Sequence, residues 1–165
     1  MRAAVGVFIR FIITALIIHT WLVAGLIVPI RVAGDSMSPS LVPDQRMLVD
    51  RATFSLRAPN RGEVIVLTSP DETRLQCVKR IAGLPGEQVQ IRGHKLLIDG
   101  SPQTWNHRLA AHPGAPETAS RIYQLGQDEY FVLGDNTDLS EDSRTWSQAG
   151  VPFSAIEGKV MQVRK

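Results

Sequence analysis

Residues 34–39, GDSMSP, contain a serine that the chain could present for chemistry. A glycine two positions before Ser36 and a proline three positions after it favour an irregular loop over a helix or strand. On such a loop the hydroxyl of Ser36 would be exposed and could act as a nucleophile. The same residue types also suit an Asx or Ser turn that joins two elements, so this hexapeptide alone leaves both interpretations open.

Residues 74–87, RLQCVKRIAGLPGE, contain a lysine that could serve as a base. The segment is typical of a strand that runs into a Gly-Leu-Pro-Gly turn, and alternation puts Lys79 on the same face as Leu75, Cys77 and Ile81. Burial among such neighbours should lower the pKa of Lys79, so that a fraction of it is a neutral amine. The alternative is a lysine with a buried stem whose ammonium reaches water.

Residues 134–144, GDNTDLSEDSR, follow an apolar strand and are rich in turn formers. Asp142 and Arg144 can form an ion pair, and Ser140 and Ser143 offer hydroxyls that could orient an amine. A solvated acidic loop is the alternative interpretation. This segment favours a functional site only in combination with the other two.

The histidines do not supply a base for Ser36. His19 lies in an apolar segment, His94 in a turn, and His107 and His112 in a proline-rich loop. The base would therefore be a lysine, as in the Ser-Lys variant of nucleophilic catalysis, where a neutral amine takes the hydroxyl proton during attack on a carbonyl. No further Cys or His stands at ligand spacing, so we expect neither a metal site nor a cofactor.

The amino-terminal segment predicts a membrane anchor. Residues 11–30 carry no charge over twenty positions, about the length that a helix needs to cross a bilayer. Arg2 and Arg10 precede this segment, so the positive-inside rule keeps the amino terminus cytoplasmic and sends the rest across the membrane. The alternative is a secretory signal cleaved after Gly34.

The body of the chain predicts an all-β domain. We expect an anchor over residues 1–32 and one domain over 33–165, because helical periodicity is absent beyond Val32 and short β-branched or alternating runs recur between turn formers. Residues 88–98 predict a hairpin and residues 101–121 a long loop. The predicted strands are 47–50, 63–68, 74–81, 88–91, 95–98, 122–125, 129–133 and 159–163.

The charge balance excludes one class of function. The chain has 18 Lys and Arg residues, of which only Arg2 and Arg10 precede residue 31, and 16 Asp and Glu residues. The body is thus neutral, which argues against nucleic acid as a partner, because phosphate-backbone binding needs an excess of basic residues. The single cysteine, Cys77, excludes an internal disulfide.

Taken together and in order, the three segments resemble those of the bacterial type I signal peptidases, membrane-anchored serine endopeptidases of the Ser-Lys type. GDSMSPSL at residues 34–41 is similar to the nucleophile segment of that family, VKRIAGLPGE at 78–87 to its lysine segment, and GDNTDLSEDSR at 134–144 to its last conserved segment. Each match is moderately specific, but three in order span most of the body.

The resemblance implies roles for individual residues. It makes Ser36 the nucleophile and Lys79 the general base. It makes Ser140 the residue whose hydroxyl positions the lysine, and Asp142 and Arg144 residues that support the site. Met37 is implied to belong to the segment that contacts the substrate.

The resemblance also implies a fold, an activity and a location. These are a mostly β, compact antiparallel catalytic domain with one amino-terminal transmembrane helix, and removal of signal peptides from exported preproteins after small residues at positions −1 and −3. The implied location is the bacterial inner membrane, crossed once, with the amino terminus cytoplasmic and the catalytic domain on the outer face. Its implied partners are signal peptides, the lipid bilayer and the secretion translocon, without a metal or cofactor.

The chain departs from the family pattern in three places, one of which is the run at residues 147–149 that delays the usual Gly-x-Pro ending to residues 150–152. Larger members often carry a serine at the position of Gly34 and use its hydroxyl in the oxyanion hole, whereas compact members have glycine there, as this chain does. The backbone N–H of Ser36 is then the best donor here. Thr137 replaces a common arginine.

Two other functions compete with signal peptide removal. One is a self-cleaving Ser-Lys autopeptidase, which the predicted span and the absence of a DNA-binding head disfavour. The other is a membrane-tethered β module that binds exported proteins without cutting them.

Overall fold

The fold consists of two antiparallel sheets. The computed structural model describes residues 9–17, 25–72, 75–104 and 120–161. A seven-stranded sheet has the order β1-β2-β11-β3-β4-β9-β10, and a four-stranded sheet has the order β7-β6-β5-β8. The strands are β1 Ile27–Arg31, β2 Arg46–Asp50, β3 Val64–Thr68, β4 Gln76–Gly83, β5 Gln88–Arg92, β6 Lys95–Ile98, β7 Ser101–Gln103, β8 Ser120–Gln124, β9 Glu129–Leu133, β10 Val151–Pro152 and β11 Ile156–Val160.

The large sheet is apolar on both of its faces. Its central strand β3 alternates between two core clusters, with Val64 and Val66 in one and Ile65 and Leu67 in the other. This is why the strand is an unbroken hydrophobic run rather than an alternating one. A third cluster joins the small sheet to β9 and includes Val89, Ile91, Leu96, Leu125 and Phe131. Each buried aliphatic side chain contributes about 1.5–3 kcal/mol to folding.

The prediction of a mostly β, antiparallel domain is confirmed. Every predicted strand overlaps an observed one, and the hairpin over residues 88–98 forms with Arg92 paired to Lys95 and a positive φ at Gly93. The last strand was displaced in the prediction, since β11 ends at Val160. Sequence reasoning missed β7, β10, the one-turn helix Thr53–Leu56 and the 3₁₀ turn Phe153–Ala155.

The prediction that the transmembrane helix continues to residue 30 is wrong. Residues 9–17 and 25–26 are helical, but 27–31 form β1, which pairs with β2 through contacts such as Pro29 with Leu48. Pro29 is tolerated because β1 is an edge strand of the sheet. Within the described ranges we find no helix with the length and apolar character needed to cross a membrane.

Some predictions fall on residues outside the described ranges. The middle of the predicted span, 18–24, is one such stretch, and most of the predicted long loop, 105–119, is another, together with His107 and His112. The division of the chain into residues 1–32 and 33–165 stays a prediction.

Candidate active site

Ser36 lies on the turn-rich connection between β1 and β2. It is half-buried, and its carbonyl oxygen accepts a hydrogen bond of 3.0 Å from the N–H of Asn136. The next residue, Met37, is only 1% exposed and packs in the core cluster that contains Val64 and Val66. The main chain at Ser36 is therefore fixed from two sides, by the core beneath it and by the loop after β9.

Lys79 occupies the middle of β4, where it pairs with Ile65 of β3. Its side chain is only 4% exposed, as the alternation of the strand predicted. Burial lowers the pKa of Lys79 below its ordinary value, while the carboxylate of Asp142 acts in the opposite direction. A neutral amine in this position can accept a proton from a hydroxyl.

Gly134 is the point where the three segments meet. In the pairing of β4 with β9, Arg80 lies opposite Leu133, so the next step of the same register places Lys79 opposite Gly134. A methyl group added to Gly134 would overlap the Oγ of Ser140 and would lie 2.5 Å from the carbonyl oxygen of Ser36. The main chain of Ser36, the main chain of Lys79 and the hydroxyl of Ser140 thus lie around one glycine that has no side chain to separate them.

The loop after β9 is held by a fully buried ion pair. The Nε of Arg144 donates to the Oδ1 of Asp142 at 2.8 Å, and the Nη2 donates to Oδ2 at 3.0 Å. The same carboxylate accepts a hydrogen bond from the N–H of Gly134 at 3.0 Å, and Arg144 also donates to the carbonyl of Thr137. The predicted ion pair is confirmed, and it fixes the glycine on which the site converges.

The two serines of this loop differ in availability. The hydroxyl of Ser143 accepts a hydrogen bond from the N–H of Val132 at 2.9 Å, so it already binds the main chain of β9. The Oγ of Ser140 is buried and has no hydrogen-bond partner among the described residues. A buried hydroxyl without a partner is costly, which is typical of functional sites. Ser140 is therefore the hydroxyl that remains free to orient an amine.

Sequence reasoning missed a second ion pair beside the site. Arg80 donates to the carboxylate of Asp135 through Nε at 2.8 Å and Nη2 at 2.6 Å, and to the carbonyl of Gly62. Arg80 follows Lys79 on β4, so its side chain points to the opposite face. It joins this strand to the loop after β9. The only sequence signal was a charged residue beside the lysine and another beside Gly134.

The arrangement is suited to acyl transfer without a metal. It combines a serine on a fixed loop, a buried amine and an unpartnered hydroxyl. The N–H of Ser36 has no acceptor among the described residues, so it can donate to an oxyanion that develops at the attacked carbonyl. Among those residues no group of His, Cys, Asp or Glu side chains could hold a metal ion.

Comparisons with known proteins identify the family. A model of the family described as signal peptidase, peptidase S26, matches residues 5–164. The chain belongs to this family. The chain is 30% identical over 157 residues to signal peptidase I of Leptolyngbya laminosa, covering 91% of this chain and 72% of the relative. It is 31% identical over 149 residues to signal peptidase I of Bacillus amyloliquefaciens, covering 87% and 79%.

A solved structure of the family has a similar fold. The crystal structure of a signal peptidase I from Enterococcus faecalis matches with a TM-score of 0.52 and 29% sequence identity, covering 64% of this chain and 98% of that one. The recognition of the family from three segments is therefore confirmed. The roles of individual residues are not tested by these comparisons, so the assignment of Ser36, Lys79, Ser140, Asp142 and Arg144 stays a prediction.

Two residues singled out by the resemblance to signal peptidases need comment. The side chain of Met37 lies in the core, so it anchors the loop of Ser36, and its predicted contact with substrate stays a prediction. Gly34 is exposed, and a Cβ placed on it would meet no atom within 4 Å. The fold therefore has room for a side chain at Gly34, although this chain has none there.

Proposed function

We propose that this chain is a membrane-tethered serine endopeptidase that removes signal peptides from exported preproteins, with Ser36 as nucleophile and Lys79 as general base. Membership of the signal peptidase family supports the reaction. The observation that supports the residue assignment is that the carbonyl oxygen of Ser36 and the unpartnered hydroxyl of Ser140 lie against Gly134, which the register places opposite the main chain of the buried Lys79.

The reaction proceeds in two steps. Neutral Lys79 takes the proton of Ser36 as the serine oxygen attacks the carbonyl carbon of the scissile peptide, and the resulting ammonium gives that proton to the leaving amine. The same amine then activates water, which hydrolyses the acyl-enzyme. Ser140 orients the amine, while Asp142 and Arg144 hold the loop that carries Ser140.

The substrate binds as an extended strand beside β4. The register of β9 with β4 begins at Arg80, so residues 76–78 have no strand partner on that side among the described residues. A preprotein segment can add main-chain hydrogen bonds there, with alternate side chains entering the cleft. The family preference for small residues at positions −1 and −3 fits such alternation.

The membrane is the second partner in this proposal. Apolar side chains of residues 9–17 are exposed, including Phe11 at 72%, and need an apolar environment. At the edge of the large sheet, an exposed apolar row runs from Pro29 on β1 through Leu48 on β2 to Met161, the residue after β11. The amino-terminal segment enters the inner membrane from the cytoplasmic side, and this row faces the outer surface of the bilayer. The translocon is a further proposed partner.

Cleavage of a preprotein by membranes that carry the full chain tests the proposal. Ser36→Ala and Lys79→Ala should each abolish the shortened product, whereas the matched controls Ser55→Ala and Lys95→Ala, both at exposed positions, should leave it unchanged. Mass spectrometry of the new amino termini reports the residues at −1 and −3. Binding of the preprotein without a shortened product would favour the non-enzymatic module, and a shortened enzyme would favour the autopeptidase.

A further inference from the structure

The exposed face of β1 and β2 carries two arginines directly opposite each other. Arg31 on β1 pairs with Arg46 on β2, and both side chains are exposed. Side chains at opposite positions of an antiparallel pair lie on the same face, with their Cβ atoms about 4.5–5.5 Å apart, and two like charges so placed destabilise the sheet. We call Arg31 and Arg46 the arginine pair. An anion that bridges the two guanidinium groups would remove this repulsion.

The described residues neutralise the arginine pair only in part. The Nη1 of Arg31 donates to the Oδ1 of Asp44 at 3.3 Å, in a single contact whose side chains are 59% and 83% exposed. The guanidinium group of Arg46 has no hydrogen-bond or ion-pair acceptor among the described residues. Because an exposed ion pair of this kind is weak, a stronger anion can displace Asp44 from Arg31.

The main chain holds the arginine pair at a fixed spacing. Just beyond it, the N–H of Val32 donates to the carbonyl of Gln45 at 3.0 Å, and the N–H of Asp44 donates to the carbonyl of Val32 at 2.9 Å. Val32 is buried and packs in the core cluster that contains Val64 and Val66. A ligand that bridges the two arginines therefore has to order only their side chains, which lowers the entropic cost of binding.

The apolar row lies on the same face of the sheet as the arginine pair. Pro29 lies opposite Leu48, two positions from Arg31 and Arg46 along their strands. Two residues of a strand span about 6.6 Å. The headgroup layer of one leaflet is about 5–8 Å thick. When the apolar row reaches the hydrocarbon boundary, the arginine pair therefore lies at the depth of the lipid phosphates.

The position of this face in the chain favours a lipid as its ligand. β1 follows the helical residues 25–26 directly, and residues 9–17 expose apolar side chains along a further helical stretch. Under the proposed membrane tether, the chain itself brings β1 to the lipid surface. The charge of the arginine pair complements a phosphate, which a guanidinium group binds through paired N–H donors. Both the apolar row and the arginine pair then have a partner in one molecule.

We propose that the arginine pair binds the phosphate of an anionic phospholipid while the apolar row lies against its acyl chains, an inference that rests on the membrane tether of the proposed function. A basic residue near an anionic membrane surface strengthens binding about fivefold, and Asp44 offsets part of the gain at Arg31, so the pair should prefer an anionic over a zwitterionic phospholipid by about 5- to 30-fold.

The test is native mass spectrometry of the full chain in detergent with equal amounts of phosphatidylglycerol and phosphatidylcholine. The native chain should retain phosphatidylglycerol in about 5- to 30-fold excess. Arg31→Gln/Arg46→Gln should lower this ratio to that of the mixture, whereas the matched control Arg92→Gln/Lys95→Gln, which removes a cross-strand basic pair of the small sheet, should keep it.

Two single variants make the test sharper. Asp44→Asn should raise the ratio, because it removes the carboxylate that competes with phosphate for Arg31, and asparagine tolerates the positive φ of 64° at this position. Arg46→Glu should lose the preference and remain as stable in urea as the native chain, because its carboxylate can pair with Arg31. This variant separates loss of the lipid site from loss of the fold.

Several results would overturn the lipid site. These are equal retention of the two lipids by the native chain, and a preference that survives in the double variant Arg31→Gln/Arg46→Gln. A protein dimer in the same spectra that disappears in this variant would mean that a second copy of the chain covers the face, and would overturn the lipid site as well. Cleavage of a preprotein by the native chain in phosphatidylcholine vesicles is measured separately, and its absence would contradict the proposed peptidase activity instead.

Discussion

Replacement of Gly134 by alanine should separate the groups that the proposed reaction brings together. The added methyl would lie 2.5 Å from the carbonyl oxygen of Ser36, and ordinary contact begins at 3.4 Å, so that oxygen must retreat by about 0.9 Å. The overlap with Ser140 is more severe. Overpacking of this kind costs about 1–3 kcal/mol of stability, and a misplacement of about 1 Å can lower the rate about 10²-fold.

The assay pairs single-turnover cleavage of a preprotein peptide with unfolding in urea, so that a rate lost through unfolding is recognised. We expect the loss for Gly134→Ala to fall on kcat at temperatures where the variant is folded. Gly34→Ala is the matched control for stability, because its methyl would meet no atom within 4 Å. A folded Gly134→Ala variant with native kcat would refute the convergence of Ser36, Lys79 and Ser140 on this glycine.

Three further predictions follow from burial and hydrogen bonding. Lys79→Met should abolish cleavage and raise the unfolding free energy at neutral pH by about 1–2 kcal/mol, because folding then no longer has to desolvate or deprotonate the Lys79 ammonium. Burial lowers the pKa of Lys79 in the folded state, so at neutral pH the unfolded chain binds more protons than the folded chain. The stability gained by Lys79→Met should therefore shrink as pH rises toward 10.5. The kcat/KM of the native chain should rise with pH as the amine deprotonates. Ser140→Ala should lower cleavage without loss of stability, whereas Ser143→Ala should cost about 1–3 kcal/mol, because it leaves the buried N–H of Val132 without an acceptor. Gly34→Ser should leave stability unchanged and raise kcat at least about tenfold by adding an oxyanion donor.

Each of these predictions has a contradicting result. A Lys79→Met variant that is less stable than the native chain at neutral pH, or a pH–rate profile that is flat, would exclude a neutral buried amine. Equal stability losses in the two serine variants, measured by urea unfolding, would mean that the Ser140 hydroxyl has a structural partner. A Gly34→Ser variant with unchanged or lower kcat would show that its hydroxyl does not reach the oxyanion.

The sequence predicted the strands and the burial of Lys79 because both leave local signals. Alternation on β4 was enough to place Lys79 on the apolar face, and turn formers marked the loops of Ser36 and Ser140. The ion pair of Asp142 with Arg144 was also predictable, because the residues are two positions apart in a turn-rich segment.

Other features have no local signal. β1 continues an apolar run, so hydrophobicity alone could not show where the anchor-like segment ends and the sheet begins. The choice between Ser140 and Ser143 depends on which hydroxyl meets the N–H of Val132, a contact between separate segments. The pair of Arg80 with Asp135 spans 55 positions and follows from the register of β4 with β9.

The absence of a spacer before β1 sets a limit on reach. β1 begins at Ile27, directly after the helical residues 25–26, and Ser36 follows nine positions later. Even a fully extended chain covers only about 30 Å over nine residues. Under the proposed anchoring of the preceding segment in the bilayer, we expect cleavage only at peptide bonds that emerge within that height of the lipid surface, whatever the length of the protein that follows.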